Sequence, residues 1–109
     1  MLIDFNKIEE KTFPGMNNGT GTMSAKIHIG KRGKIILTRI HPSGSIGMHI
    51  QKNGDDINYV MSGKGKVVCD GHEENLTADC CHVCHKDSQH AIINTGNEDL
   101  VLLTVVVER

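Results

Sequence analysis

Gly44-Ser-Ile-Gly-Met-His49-Ile-Gln51-Lys-Asn-Gly54-Asp55-Asp56-Ile-Asn58-Tyr59-Val-Met61-Ser-Gly63 reads as two short strands around a Lys-Asn-Gly turn. His49 and Gln51 are two positions apart, which puts both side chains on one face of the first strand. In the second strand Ile57, Tyr59 and Met61 alternate with Asp56, Asn58 and Val60, so apolar groups share one face and polar groups largely share the other. Asp56 opens that strand and can swing its carboxylate toward the point His49 faces. If the polar face lines an interior cavity, the apolar face needs an outer cover.

The same period runs outward along the chain. Met23, Ala25, Ile27 and Ile29 alternate with Ser24, Lys26 and His28, and a Gly30-Lys-Arg-Gly33 turn leads into Lys34–His41, which predicts a hairpin with His28 toward solvent. Further short segments follow at about 46–51, 56–61, 65–70, 72–77, 80–84, 89–94 and 99–107, punctuated by Gly54, Gly63, Gly65, Gly71 and Gly96. Leu100–Val107 is apolar on both faces and must be covered on both. Only residues 3–10 suggest a helical turn, so the fold class is all-β, a sandwich or small barrel. At 109 residues and 11.9 kDa the chain supports one core. Residues 23–109 are expected to form the barrel, with 1–22 an extension packed outside it.

Composition narrows the function classes. Hydrophobic residues at 38% exclude a disordered chain, and no apolar run is long enough for a membrane span. With 12 Lys+Arg against 13 Asp+Glu there is no basic excess to meet a phosphate backbone, so no nucleic-acid partner is expected. The N-terminal residues lack the pattern of a secretory signal, which predicts a cytoplasmic location. There is no P-loop, dinucleotide fingerprint or nucleophile elbow.

A second segment, Asp79-Cys-Cys-His-Val-Cys-His85-Lys-Asp87-Ser-Gln-His90-Ala-Ile-Ile-Asn94-Thr-Gly96, brings another imidazole from a distant strand. Together the two segments resemble the cupin family, small β-barrels whose motifs read G-x5-H-x-H-x3,4-E-x6-G and G-x5-P-x-G-x2-H-x3-N. His49, Gly63, His90 and Asn94 match. Gln51 stands where a second His is expected, Asp56 replaces Glu, Gly44 is one residue too close to His49, and Asp79, His85 and Asp87 occupy the Gly, Pro and Gly positions. The resemblance spans roughly residues 34 to 106. It implies a double-stranded β-helix (jelly-roll) barrel holding a divalent transition metal (Fe, Mn, Ni or Zn) on His49, Asp56 and His90, with Gln51 as a weak fourth donor. The alternative is that Gln51 orients a ligand or water in a barrel that has lost its metal.

Cys81, Cys84 and His85 have the C-x-x-C-H spacing of haem attachment, and Cys81 and Cys84 that of half a zinc site. Haem attachment needs a secreted chain, and a zinc site needs a second pair, whereas Cys69 is alone. Cys80, Cys81 and Cys84 are therefore expected to pack as small apolar residues. Alternation puts Cys81 and Val83 on one face and Cys80, His82 and Cys84 on the other, without saying which faces inward. His72 fits a hairpin tip. Candidates for a general base are His41, His82, His85 and Asp55.

Function by resemblance is then metal-assisted binding of a small polar ligand, such as a sugar or organic acid. Turnover as an oxygenase, isomerase or lyase is open, and a metal-free binding or interaction module is the alternative. The apolar faces around Ile57, Tyr59 and Met61 and on the last strand predict a homodimer.

Overall fold

The computed structural model describes the whole chain, Met1–Arg109, as ten strands in two sheets. In chain order these are β1 (Lys11–Pro14), β2 (Thr22–Gly30), β3 (Gly33–Ile40), β4 (Ser45–Ile50), β5 (Gly54–Ser62), β6 (Gly65–Cys69), β7 (His72–Leu76), β8 (Cys81–Cys84), β9 (Gln89–Asn94) and β10 (Leu100–Glu108). The larger sheet has the order β1-β2-β3-β10-β5-β8 and the smaller β4-β9-β6-β7, all pairs antiparallel. This is the expected all-β architecture. No helix is long and apolar enough to cross a membrane.

The hairpin forms in the register its alternation demands, Ile27 opposite Ile36 and Met23 opposite Ile40. Met23, Ala25 and Ile27 face inward. His28 faces outward but is half-buried, sharing a shallow groove with Met1 and Ile3. The helical turn contracts to a three-residue 3-10 turn, Phe5–Lys7, capped by Asp4, whose carboxylate accepts from the Asn6 N–H at 3.0 Å. β1 extends the larger sheet beside β2, and a second 3-10 turn, Met16–Asn18, lies against β4. Gly63 closes the β5–β6 turn at φ +91°, where a side chain would be strained and would also meet the Asp99 backbone.

Ile40, Val60, Leu100 and Leu102 are fully buried and fill one end of the space between the sheets. At the other end the inward rows change character. Ile27, Ile36, Thr104 and Asn58 lie side by side across β2, β3, β10 and β5, so the sheet passes from apolar to polar along one row. Outside, Leu37, Leu103 and Tyr59 lie in register, and Tyr59, Met61 and Val83 remain exposed, which leaves the apolar outer face foreseen for β5 without cover within one chain.

Candidate metal centre and cavity

His49 reaches the interior because β4 carries a bulge. Ile46 pairs with Ile92 and His49 with His90, three steps on β4 against two on β9. Regular alternation would send Ile46 and His49 to opposite faces, and the extra residue re-aims His49 inward beside Ile46. The bulge sits at Gly47, where any Cβ would collide with the Asn17 carbonyl oxygen, so the 3-10 turn and the bulge fit only around glycine. The Gly47 carbonyl accepts from His49 Nδ1 at 2.8 Å. A carbonyl can only accept, so Nδ1 carries the proton and Nε2 of the neutral ring offers its lone pair inward.

His90 comes from β9 and Asp56 from β5, one from each sheet. The His90 side chain has no solvent exposure. Its Nε2 lies 3.2 Å from His49 Nε2 and 3.2 Å from Asp56 Oδ2, and the donor atoms of His49, Asp56 and His90 all lie within 4.8 Å of one another. Gln51 Oε1 adds a fourth oxygen, 3.1 Å from His49 Nε2. Donors about 2.1 Å from a common first-row ion lie roughly 3.0–3.4 Å apart in octahedral or tetrahedral arrangement, the spacing of His90 Nε2 from both His49 Nε2 and Asp56 Oδ2. Asp56 Oδ1 is buried with no hydrogen-bond partner. An unpaired buried carboxylate oxygen is costly unless something cationic meets it. The donor set of two imidazoles and a carboxylate suits a divalent transition metal.

His82 belongs to the arrangement in a way that motif spacing does not disclose. On β8 it is paired with Asn58, so it and Cys84 face inward while Cys81 and Val83 face out. Its Nε2 stands 2.8 Å from His90 Nδ1. Each imidazole of the cluster thus has its Nδ1 engaged and its Nε2 turned to the centre, the usual support for a ligating histidine. Burial pushes the His82 pKa down, and the neighbouring His90 adds to the shift.

The cluster adjoins a cavity of about 430 Å³. Thr104 Oγ1 donates to Asn58 Oδ1 at 2.8 Å, so its other neighbour, Thr38 Oγ1 at 2.9 Å, must donate to it. Asn58 Nδ2 is then a buried donor with no partner, an omission worth about 1–3 kcal/mol. The sequence signal for this chain of hydroxyls was Thr104 itself, the one polar residue within Leu100–Val107.

The other singled-out residues lie elsewhere. His41 is tied to Asp99 at 2.8 Å and to Ser24 at 2.7 Å on the outer face. His85 is exposed near Asp55, whose carboxylate is held below its ordinary pKa by the Lys86 N–H and by Arg109. His72 opens β7 at the surface. Cys84 is buried against Cys69, and burial together with Cys69 pushes its pKa up to about 12, an inert thiol. Cys80 and Cys81 are exposed rather than packed as apolar filling, because Cys80 closes a turn on Thr77 and Cys81 lies on the outer face of β8. Tyr59 also faces out, donating to Asp79.

A family model described as a cupin domain matches residues 36–106. The oxalate-binding protein of Thermotoga maritima is 27% identical over 115 residues, covering 98% of this chain and 93% of that one. Among solved structures, one described as a predicted oxalate decarboxylase from Thermotoga maritima superposes with TM-score 0.93 at 23% identity, covering 100% of both chains. KdgF from Halomonas sp. gives TM-score 0.71 at 18% identity, covering 80% of each chain. With the family model spanning well over half of the sequence, both motifs in order and both sheets as they require, this chain belongs to the cupin family.

Proposed function

We propose that this cupin binds a divalent transition metal through His49, Asp56 and His90, with Gln51 as a weaker fourth donor, and holds a small organic acid in the adjoining cavity. What supports it most is the meeting of three ligating groups from two sheets around an orphaned buried carboxylate oxygen. When bound, the ion supplies positive charge that draws ligand oxygens. His49 and His90 orient the donor nitrogens, Asp56 lowers the cost of the buried charge, and the cavity walls exclude water. Small organic acids are favoured among polar ligands because the Thermotoga maritima relative is an oxalate-binding protein.

Binding is favoured over turnover. The titratable side chains lining the cavity are Lys34, His49 and Asp56, whereas His41, His82, His85 and Asp55 do not line it. The protein is proposed to act in the cytoplasm as a homodimer, closing its apolar outer face around Tyr59 and Met61 against a second copy. Light scattering at micromolar concentration is expected to give the dimer mass.

The deciding experiment is metal analysis of protein purified without an affinity tag or chelator. About one divalent ion per chain is expected, and His90→Ala should lose it. Wild-type protein that neither carries an ion nor gains thermal stability with Mn, Fe, Ni or Zn would overturn the proposal in favour of a metal-free binding module.

A further inference from the structure

The two unpartnered buried atoms near the cluster are of opposite kinds and lie on one strand. Asp56 Oδ1 is an acceptor and Asn58 Nδ2 a donor, two residues apart on β5 and both on the cavity wall. Asp56 Oδ1 has the metal to meet. Asn58 Nδ2 has nothing within the chain, while the Thr104 hydroxyl, 2.8 Å from Asn58 Oδ1, holds the other end of the amide. A donor without a partner beside a metal centre is suited to an oxygen of a ligand that the metal also holds.

The remaining cavity is of the opposite chemistry. Met23, Ile27 and Ile36 wall it from β2 and β3, and Phe13 and Met16 close over it from the N-terminal segment. At about 430 Å³ it has room for far more than a two-carbon acid. Charge limits the head group further. A divalent ion with one carboxylate and neutral imidazole and amide donors leaves a single unit of positive charge, which one carboxylate neutralises and a dianion over-compensates. Lys34, the one cationic side chain on the lining, is exposed to solvent.

We propose that the ligand is a monocarboxylate bearing an oxygen on the adjacent carbon and an apolar tail, a branched 2-oxo acid in chemical class. Its two oxygens face the metal and the Asn58 amide, and its tail lies over Ile27 and Ile36. This deepens, and rests on, the metal-binding reading above.

The test begins with a Mn(II) titration of the full-length protein without any acid. Calorimetry on the Mn-loaded protein then compares 4-methyl-2-oxopentanoate, pyruvate and oxalate. The branched acid should bind at least about tenfold more tightly than the other two, since single methylenes in an apolar pocket carry factors of this size. Asn58→Ala should weaken the branched acid at least about tenfold while the Mn(II) affinity stays within a few-fold of wild type. Ile27→Thr should bring the branched acid and pyruvate toward equal affinity without changing the pyruvate value. Melting curves and the acid-free Mn(II) titration confirm that each variant is folded and loaded. Oxalate binding as tightly as the branched acid overturns the inference and leaves the metal site standing. So does an Asn58→Ala protein that is loaded and binds the acid like wild type. Failure of wild type to bind Mn(II) overturns both.

Discussion

Replacing His82 by Phe removes the partner of a ring nitrogen that water cannot reach. His82 Nε2 is 2.8 Å from His90 Nδ1, and the His90 side chain has no exposure. Two considerations set the magnitude. A buried polar atom left unsatisfied costs about 1–3 kcal/mol. Loss of the outer partner of a ligating histidine typically costs about 10–100-fold in metal affinity, equivalent to about 1.4–2.7 kcal/mol. The ranges overlap because both describe the same lost hydrogen bond. The bond has to work in two directions. In the metal-free protein His90 Nε2 donates toward His49 and Asp56, so Nδ1 accepts from His82. With Nε2 given to a metal, Nδ1 carries the proton and His82 must accept it. Imidazole can do both and Phe neither, whereas the amide of Gln carries both an acceptor and a donor. Competition against a chromophoric chelator for Co(II) or Zn(II) is therefore expected to show a 10–100-fold weaker His82→Phe and a His82→Gln within a few-fold of wild type. A folded His82→Phe that binds with wild-type affinity would refute the role assigned to this bond, as would a folded His82→Gln no better than Phe.

Gln51→His places imidazole where an amide oxygen stands 3.1 Å from His49 Nε2, and should raise Zn(II) or Mn(II) affinity by about tenfold or more; unchanged affinity would remove residue 51 from the coordination sphere. Gly47→Ala drives a methyl group into the Asn17 carbonyl, so urea melts should show a loss of about 1–3 kcal/mol, with weaker metal binding as the bulge that aims His49 gives way. Glu10, hydrogen-bonded to Arg39 at 2.5 Å, has its pKa held below the ordinary carboxylate value chiefly by that bond. The group therefore adds stability above its unfolded pKa, and this is lost as pH falls through the folded one. Melting temperatures followed into acid should drop less steeply for Glu10→Gln than for wild type, and parallel curves would exclude the linkage.

Legibility in the sequence tracked how local each determinant is. The hairpin of β2 and β3 was plain because seven residues alternate strictly and a Gly-bounded turn follows them. β1 was not, since Lys-Thr-Phe-Pro has no period and becomes a strand only by pairing with β2. His49, Asp56 and His90 could be picked out by motif order, yet the bulge that makes Ile46 and His49 share a face leaves only Gly47 as its mark. The inward face of β8 was undecidable because Cys, His and Val do not differ enough in hydropathy to orient a four-residue strand. Its pairing with β5, Asn58 opposite His82 and Asp56 opposite Cys84, settles it by tertiary contact alone.

Under the proposed function, donor charge accounts for Gln51 standing where the family motif carries a histidine. Gln and His are both neutral donors, so the exchange weakens attraction for the ion without altering the charge left for a ligand to neutralise. Under the proposed function, metal affinity and ligand choice therefore rest on different residues. In that reading His82 acts on the ion through His90 and Gln51 as a weak donor of its own, whereas Asn58, held by Thr104, lies on the cavity wall and hydrogen-bonds to neither imidazole. A variant at Gln51 should shift the metal titration and leave the ranking of acids unchanged, and one at Asn58 should do the reverse. Only an arrangement in which the ligand is held by ion and wall together, rather than by the ion alone, gives that separation.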